Sequence, residues 1–336
     1  MTTSSIEKAP WLVPVRARLA EAWAGPRFPH ALLVHGRPGV GAEHLAEWLS
    51  HLMLCERPGT DACGECTSCA LVKAGNHPDY LKLTIEEDAS FIKIEQVREL
   101  SEWASLKSYR GRRRVVVIDP ADYLYYNAFN ALLKTLEEPS ESLALVLVAT
   151  RLEKLPRTIM SRCQHVRVPT PDRDVALAWL RGIDETRDWE DMLDLAAGAP
   201  LGAVSLARAG MGEVADDLRA FLAAMQTGRG DPLKAAEAWT RDRPFERLLW
   251  LEHWAMAGAR AAVVANGDAV DNNETSTLPS GTGPLKIRAC FEFVDRVREA
   301  RNLLQGSLNT QLLLEGIALA VAELVRVPLE PRGRPG

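Results

Sequence analysis

The sequence predicts an α/β domain followed by all-α domains, and three observations carry this prediction. Short apolar runs of strand length alternate with helical patterns up to about residue 168. A glycine-rich turn, GRPGVGAE at 36–43, stands between the first apolar run and the helical pattern after it. Beyond Pro169 the pattern is helical only. Such alternation is typical of a parallel sheet that is covered by helices on both faces.

The composition is that of a globular protein with room for two or three domains. Its 336 residues are 47% hydrophobic and 25% charged, with a formal net charge of −5. The apolar runs are far shorter than the roughly 20 residues of a membrane span, and the first residues lack a basic and then apolar signal. We therefore expect a cytoplasmic protein with no membrane partner. The negative charge argues against a general polyanion binder.

Three apolar runs predict the strands of the sheet. They are ALLVH at 31–35, RRVVVID ending at Asp119, and SLALVLVAT ending at Thr150. After the glycine-rich turn, apolar side chains recur at helical spacing, at Leu45, Trp48, Leu49, Leu52 and Met53. The order strand, glycine-rich loop, helix is the context of a phosphate-binding loop.

The helical remainder predicts two further domains. Residues 169–212 form a small helical unit after the sheet domain of 1–168. Long amphipathic helices then occupy 213–336. The polar, glycine-rich segment 266–284 interrupts them, and its composition predicts a mobile loop.

The glycine-rich turn has the spacing of the motif G-x-x-x-x-G-K-[ST] but not its last two residues. Ala42 replaces the lysine that reaches the outer phosphates, and Glu43 replaces the hydroxyl that holds magnesium. A carboxylate at this position adds repulsion where phosphates need a cation. The sequence therefore predicts the scaffold of a nucleotide site without its chemistry.

The end of the second predicted strand has a second loss of the same kind. In phosphate-loop ATPases an acidic pair follows this strand, one residue for magnesium and one to orient the attacking water. Here Asp119 is present, but Pro120 stands in the second position and cannot polarise water. Two independent losses indicate a nucleotide fold that no longer hydrolyses nucleotide.

Four of the six cysteines have the spacing of a metal site. Cys63, Cys66 and Cys69 form C-x-x-C-x-x-C, and Cys55 lies upstream at the end of the first long helical pattern. Four thiolates can complete a tetrahedral zinc shell and leave no open position for catalysis, so the expected role is structural. An iron–sulfur cluster is the alternative, because bacterial ferredoxins share this spacing, although the x-x-x-C-P that follows there is missing here.

Six segments together give the chain a resemblance to a known family. HALLVHGRPGVG, CGECTSC, AGNHPDY, VVVIDPAD, NALLKTLEEP and SRCQHVRV occur in the order found in clamp-loader subunits of bacterial DNA polymerase III. The resemblance is strong over residues 1 to about 170 and looser beyond. It implies an AAA+ type nucleotide domain with a zinc module, a small helical lid and a C-terminal helical collar. It also implies gamma or tau and delta subunits as partners in a five-subunit ring, which acts on a sliding clamp and primed DNA.

The resemblance also implies a role for the segment SRC. In clamp loaders the arginine of this motif, here Arg162, points at the ATP of the neighbouring subunit as an arginine finger. Ser161 would cap or orient it. Thr150 matches a phosphate-sensing position of active relatives. The alternative is that it only satisfies backbone hydrogen-bonding groups.

Three functions remain open at this point. The resemblance favours a non-catalytic clamp-loader subunit that binds no ATP productively. An active ATPase of the gamma or tau type would have to tolerate Ala42, Glu43 and Pro120. A zinc-dependent nucleic-acid-binding module is disfavoured by the net charge of −5.

Overall fold

The computed structural model describes residues 9–87, 89–110, 113–265, 275–276, 285–304 and 309–325. The chain divides into two compact units, Met1–Val204 and Ser205–Gly336. The finer division at 168/169 and 212/213 stays a prediction. Within the described ranges, no helix is long and apolar enough to cross a membrane.

The first unit combines a five-stranded sheet with helices on both sides of it. Its strands are β1 (Ala31–His35), β2 (Tyr80–Leu83), β3 (Arg114–Ile118), β4 (Leu143–Ala149) and β5 (Gln164–Arg167). Its helices are α1 (Val13–Ala24), α2 (Ala42–Leu54), α3 (Thr67–Lys73), α4 (Ile94–Ser105), α5 (Tyr126–Glu137), α6 (Arg157–Met160), α7 (Arg173–Arg181) and α8 (Glu190–Leu195), and α9 (Pro200–Arg208) begins at its end. Short 3₁₀ turns cover Ala121–Tyr123 and Leu152–Lys154.

The sheet is parallel throughout, with the strand order β2-β3-β4-β1-β5. Val34 of β1 lies opposite Val148 of β4 on one side and Val166 of β5 on the other. This confirms the predicted parallel sheet and its three apolar strands. The two edge strands are less covered, since β5 is mostly exposed and β2 is only partly buried. Neither has a continuous apolar run, so the hydrophobic pattern did not predict them.

The two faces of the sheet are buried in separate cores. Leu32 and Val34 of β1 pack with α2 in one core, whereas Leu33 packs with α4 and α5 in the other. Alternate residues of a strand point to opposite faces, so one apolar run supplies both cores. Each fully buried leucine of this kind contributes about 2 kcal/mol. The carboxyl ends of β1, β3 and β4, which the glycine-rich loop, Asp119 and Thr150 follow, are thereby anchored in these cores.

In the residues that the structure describes, the second unit is helical apart from one pair of two-residue strands. Its helices are α10 (Met211–Gln226), α11 (Pro232–Arg241), α12 (Pro244–Ala265), α13 (Ile287–Leu303) and α14 (Thr310–Val325). Phe221 and Trp239 meet edge to face with ring centroids 4.9 Å apart, and Arg247 is buried in contact with Asp217 and Asp242. These contacts fix the packing of α10, α11 and α12.

The predicted mobile loop at 266–284 lies outside the described residues except for 275–276. These two residues form β6 (Thr275–Ser276), which pairs antiparallel with β7 (Leu285–Lys286).

Candidate functional site

The degenerate phosphate loop lies between β1 and α2, where the sequence predicts it. Gly39 and Gly41 have φ angles of +78° and +96°, a region that favours glycine because it has no Cβ. Gly41 is followed directly by the first residue of α2. The glycines therefore give the loop its turn, as they would in a phosphate-binding relative.

The carbonyl groups of this loop are held by the rest of the first unit. The N–H groups of Leu201 and Gly202 donate to the Gly39 carbonyl at 3.0 and 3.3 Å. The indole N–H of Trp11 donates to the Val40 carbonyl at 2.8 Å. The loop thus anchors the start of α9 and the segment before α1, a structural task that needs no nucleotide.

The residues at the two degenerate positions have structural surroundings. Ala42 is buried at the start of α2, and the Glu43 carboxylate lies 3.7 Å from the imidazole of His44. Asp119 follows β3, and its carboxylate lies 3.5 Å from Lys82 Nζ. Pro120 has neither a side-chain acid nor an N–H group. The geometry places these four positions near the carboxyl ends of β1 and β3.

Thr150 at the end of β4 is bonded within the chain. Its hydroxyl donates to a carboxylate oxygen of the buried Asp122 at 3.1 Å, and its backbone N–H donates to the other at 3.4 Å. The guanidinium of Arg151 pairs with the same carboxylate at 3.2 Å. The sequence did not reveal this role of Asp122, because no motif or spacing relates it to Thr150.

The four predicted zinc ligands converge. The sulfur atoms of Cys55, Cys63, Cys66 and Cys69 all lie within 4.8 Å of one another, and those of Cys63 and Cys69 are 3.9 Å apart. A tetrahedral zinc shell with bonds of about 2.3 Å requires sulfur separations of about 3.8 Å. Backbone N–H groups also face the sulfurs, from Cys63 to Cys55 at 3.2 Å and from Cys66 to Cys63 at 3.4 Å. The donor set fits zinc.

The four thiols differ in acidity when no cation is bound. The N–H groups of Glu65 and Cys66 lower the pKa of the Cys63 thiol to about 6. Burial raises the pKa of the Cys69 thiol to about 12. Four adjacent thiolates repel one another, so all four can be deprotonated together only when a cation offsets their charge.

Polar groups behind the cysteines connect this module to the sheet. The Glu56 carboxylate accepts from the Ser68 hydroxyl at 3.3 Å and from Arg110 at 2.9 Å. The buried His77 ring contacts the same hydroxyl at 3.2 Å and accepts from the Asp79 N–H at 3.1 Å. Sequence analysis missed these partners because their spacing along the chain follows no motif.

Arg162 lies just after α6 at the surface of the first unit. Its Nη2 is 2.6 Å from a carboxylate oxygen of Glu137, and its Nη1 donates to the Thr158 carbonyl at 2.9 Å. The side chain is 36% exposed. Ser161 donates to the same carbonyl at 3.2 Å, so it caps α6 rather than contacting Arg162.

Comparisons with known proteins agree with this architecture. The family model described as "DNA polymerase III, delta subunit" matches residues 14–172. The DNA polymerase III subunit delta' of Pseudomonas aeruginosa is 34% identical, over 88% of this chain and 92% of that protein. The corresponding subunit of Escherichia coli K12 is 32% identical, over 93% and 94%.

A solved structure supports the fold. A gamma subunit-related protein of DNA polymerase III from Thermotoga maritima superposes with a TM-score of 0.53 at 17% identity, covering 93% of this chain and 99% of that one. This likeness concerns the fold alone and agrees with an AAA+ type sheet domain. The identity to the two bacterial relatives and their near-complete coverage show that the chain belongs to the delta prime subunits of DNA polymerase III.

Proposed function

We propose that this chain is a non-catalytic subunit of the replicative clamp loader. In this role it helps the ATP-dependent loading of the sliding clamp onto primed DNA, in a five-subunit ring with gamma or tau and delta subunits. It would act in the cytoplasm as part of the DNA polymerase III holoenzyme. Residues 169–212 would serve as the lid and 213–336 as the collar that closes the ring.

The observation that carries this proposal is the contrast between a degenerate loop and an intact Arg162. Ala42, Glu43 and Pro120 replace the cation, the hydroxyl and the carboxylate that ATP hydrolysis needs. Arg162, in contrast, has a partly exposed guanidinium on an ordered surface. A chain of this kind cannot catalyse on its own but can contribute to a site on another subunit.

Arg162 would act on the ATP of the neighbouring subunit. A guanidinium is planar and always charged, and it can donate two parallel hydrogen bonds to phosphate oxygens. An arginine supplied in trans accelerates phosphoryl transfer on the order of a thousandfold or more. Arg162 would therefore be the catalytic residue of this chain, although the reaction takes place elsewhere.

Zinc would be held by Cys55, Cys63, Cys66 and Cys69. The ion would cross-link the loop that carries Cys63, Cys66 and Cys69 to the end of α2. It would supply no Lewis-acid chemistry toward a substrate, because four protein ligands leave no open coordination position. Glu56 and His77 would keep the module against the sheet through Ser68.

The test is a reconstituted clamp loader that contains this chain as wild type, Arg162→Ala or Arg162→Lys. We expect equal assembly, a fractional fall in total ATPase because the other sites remain intact, and a larger loss of clamp loading on primed DNA. Lysine should rescue only in part, since a point charge lacks paired planar donors.

Arg157→Ala is the matched control, because Arg157 is an exposed arginine of α6. It should behave as wild type. Unchanged clamp loading by Arg162→Ala at equal assembly would remove the finger and leave this chain as a structural member of the ring.

A further inference from the structure

The Arg162 guanidinium is held by two elements of its own chain. Glu137, the last residue of α5, contacts Nη2 at 2.6 Å. Thr158, on α6, accepts from Nη1 through its carbonyl at 2.9 Å. The side chain thus has a defined direction before any neighbouring subunit is present.

Both elements are anchored in the core of the first unit. α5 buries Ala128, Phe129, Leu132 and Leu136, and α6 buries Ile159. Leu136 directly precedes Glu137, so the packing of the helix fixes the backbone from which the Glu137 side chain projects. The long and otherwise flexible Arg162 side chain is therefore contacted by groups on two helices that are packed in the core.

The Glu137–Arg162 pair is exposed too much to be a major source of stability. The side chains are 49% and 36% exposed, and ion pairs of this kind contribute about 0–1 kcal/mol to folding. An arginine side chain loses up to about 2 kcal/mol of rotamer entropy when it is fixed. The larger consequence of the pair is the orientation of the guanidinium.

The contact with Glu137 is compatible with a second contact to phosphate. A guanidinium has five N–H groups in a fixed fork. The hydrogen bond to the Thr158 carbonyl uses one of them on Nη1, and the Glu137 carboxylate lies beside Nη2 as an ion-pair partner. N–H groups outside these two contacts can be directed at an anion.

We propose that Glu137 is a positioning residue for Arg162, which holds the guanidinium in the direction that the neighbouring ATP requires. This inference rests on the proposed finger role of Arg162. Glu137 itself contacts no phosphate, and its effect on hydrolysis passes entirely through Arg162.

The experiment uses the reconstituted loader with Glu137→Ala, Glu137→Gln or the control Glu138→Ala. Glu138 is the adjacent exposed carboxylate. Glu137→Ala should lower the Arg162-dependent part of kcat roughly three- to tenfold, the size expected from lost rotamer order, and leave the KM for ATP nearly unchanged. Glutamine keeps an acceptor and should retain an intermediate rate. Glu138→Ala should match wild type, and the isolated full chains should unfold at the same temperature.

A double variant separates this inference from the proposal on which it rests. In the Arg162→Ala background, Glu137→Ala should cause no further loss. The positioning role is wrong if Arg162→Ala impairs loading but Glu137→Ala leaves it unchanged or raises ATP turnover. It is also wrong if Glu137→Ala changes the rate in the Arg162→Ala background. In either case the finger role of Arg162 stands. If Arg162→Ala has no effect, both fail.

Discussion

Gly39 of the degenerate loop packs directly against Gly202 at the start of α9. A Cβ atom on Gly39 would lie 2.5 Å from the Gly202 nitrogen and 2.6 Å from its Cα. The Gly39 carbonyl also accepts hydrogen bonds from Leu201 and Gly202. The glycines of the loop thus have a packing task, which explains how a phosphate-loop scaffold can persist without the residues that act on ATP.

We predict that Gly39→Ala destabilises the first unit by about 2–4 kcal/mol. The new Cβ must adopt a positive φ and displace the backbone of Gly202, and both effects are unfavourable. Chemical denaturation should show a lower midpoint for the variant.

Gly75→Ala is the control for this measurement. Gly75 has a φ of +72° but no atom within 4 Å of the Cβ position, so only the conformational cost, about 1 kcal/mol, should remain. Equal losses in the two variants would show that the contact with Gly202 contributes nothing.

We predict that the isolated chain hydrolyses no ATP and binds it weakly at best. Glu43 adds negative charge at the phosphate end of the loop, and the lysine that would compensate for it is replaced by the buried Ala42. Calorimetry and a phosphate-release assay test this. Asp119→Asn distinguishes a contaminant from intrinsic activity, because only intrinsic magnesium-dependent turnover should fall in this variant. Such a fall would contradict the prediction.

We predict one zinc ion per chain. Cys66→Ser should lower the zinc content toward zero. It should also lower the free energy of unfolding of the first unit by on the order of 4 kcal/mol, because metal binding is coupled to folding. Cys163→Ser is the control, since the buried Cys163 lies outside the four-cysteine centre. Elemental analysis that finds iron in anaerobically purified protein would favour the iron–sulfur alternative instead.

We predict a pH dependence from His35, at the end of β1. Burial, and then the nearby His165 and Arg167, lower the pKa of His35 below 6.5. The unfolded chain therefore binds more protons than the folded one, so His35 contributes stability above about pH 6.5 that is lost as the pH falls through its folded pKa. An NMR titration should give a His35 pKa below 6.5 that rises in Arg167→Gln. A value of 6.5 or higher in the wild type would refute this.

The prediction of the fold succeeded where a pattern is local. β1, β3 and β4 are continuous apolar runs because both faces of a central parallel strand are buried. The edge strands β2 and β5 have mixed polarity because only part of each is covered. The four cysteines could likewise be assigned from the sequence, since C-x-x-C-x-x-C places three thiols close together in a compact turn and Cys55 ends the helix that precedes it.

The sequence by itself determined which chemical groups are present: the missing lysine, hydroxyl and acid at Ala42, Glu43 and Pro120, the four thiols, and Arg162. Only the tertiary structure decided which of these groups meet distant partners, such as Glu137 with Arg162 and Asp122 with Thr150. The physical reason is that helical and strand periodicity reports the burial of one element at a time. Contacts between elements depend on how the two cores pack against the sheet, and no spacing along the chain encodes that.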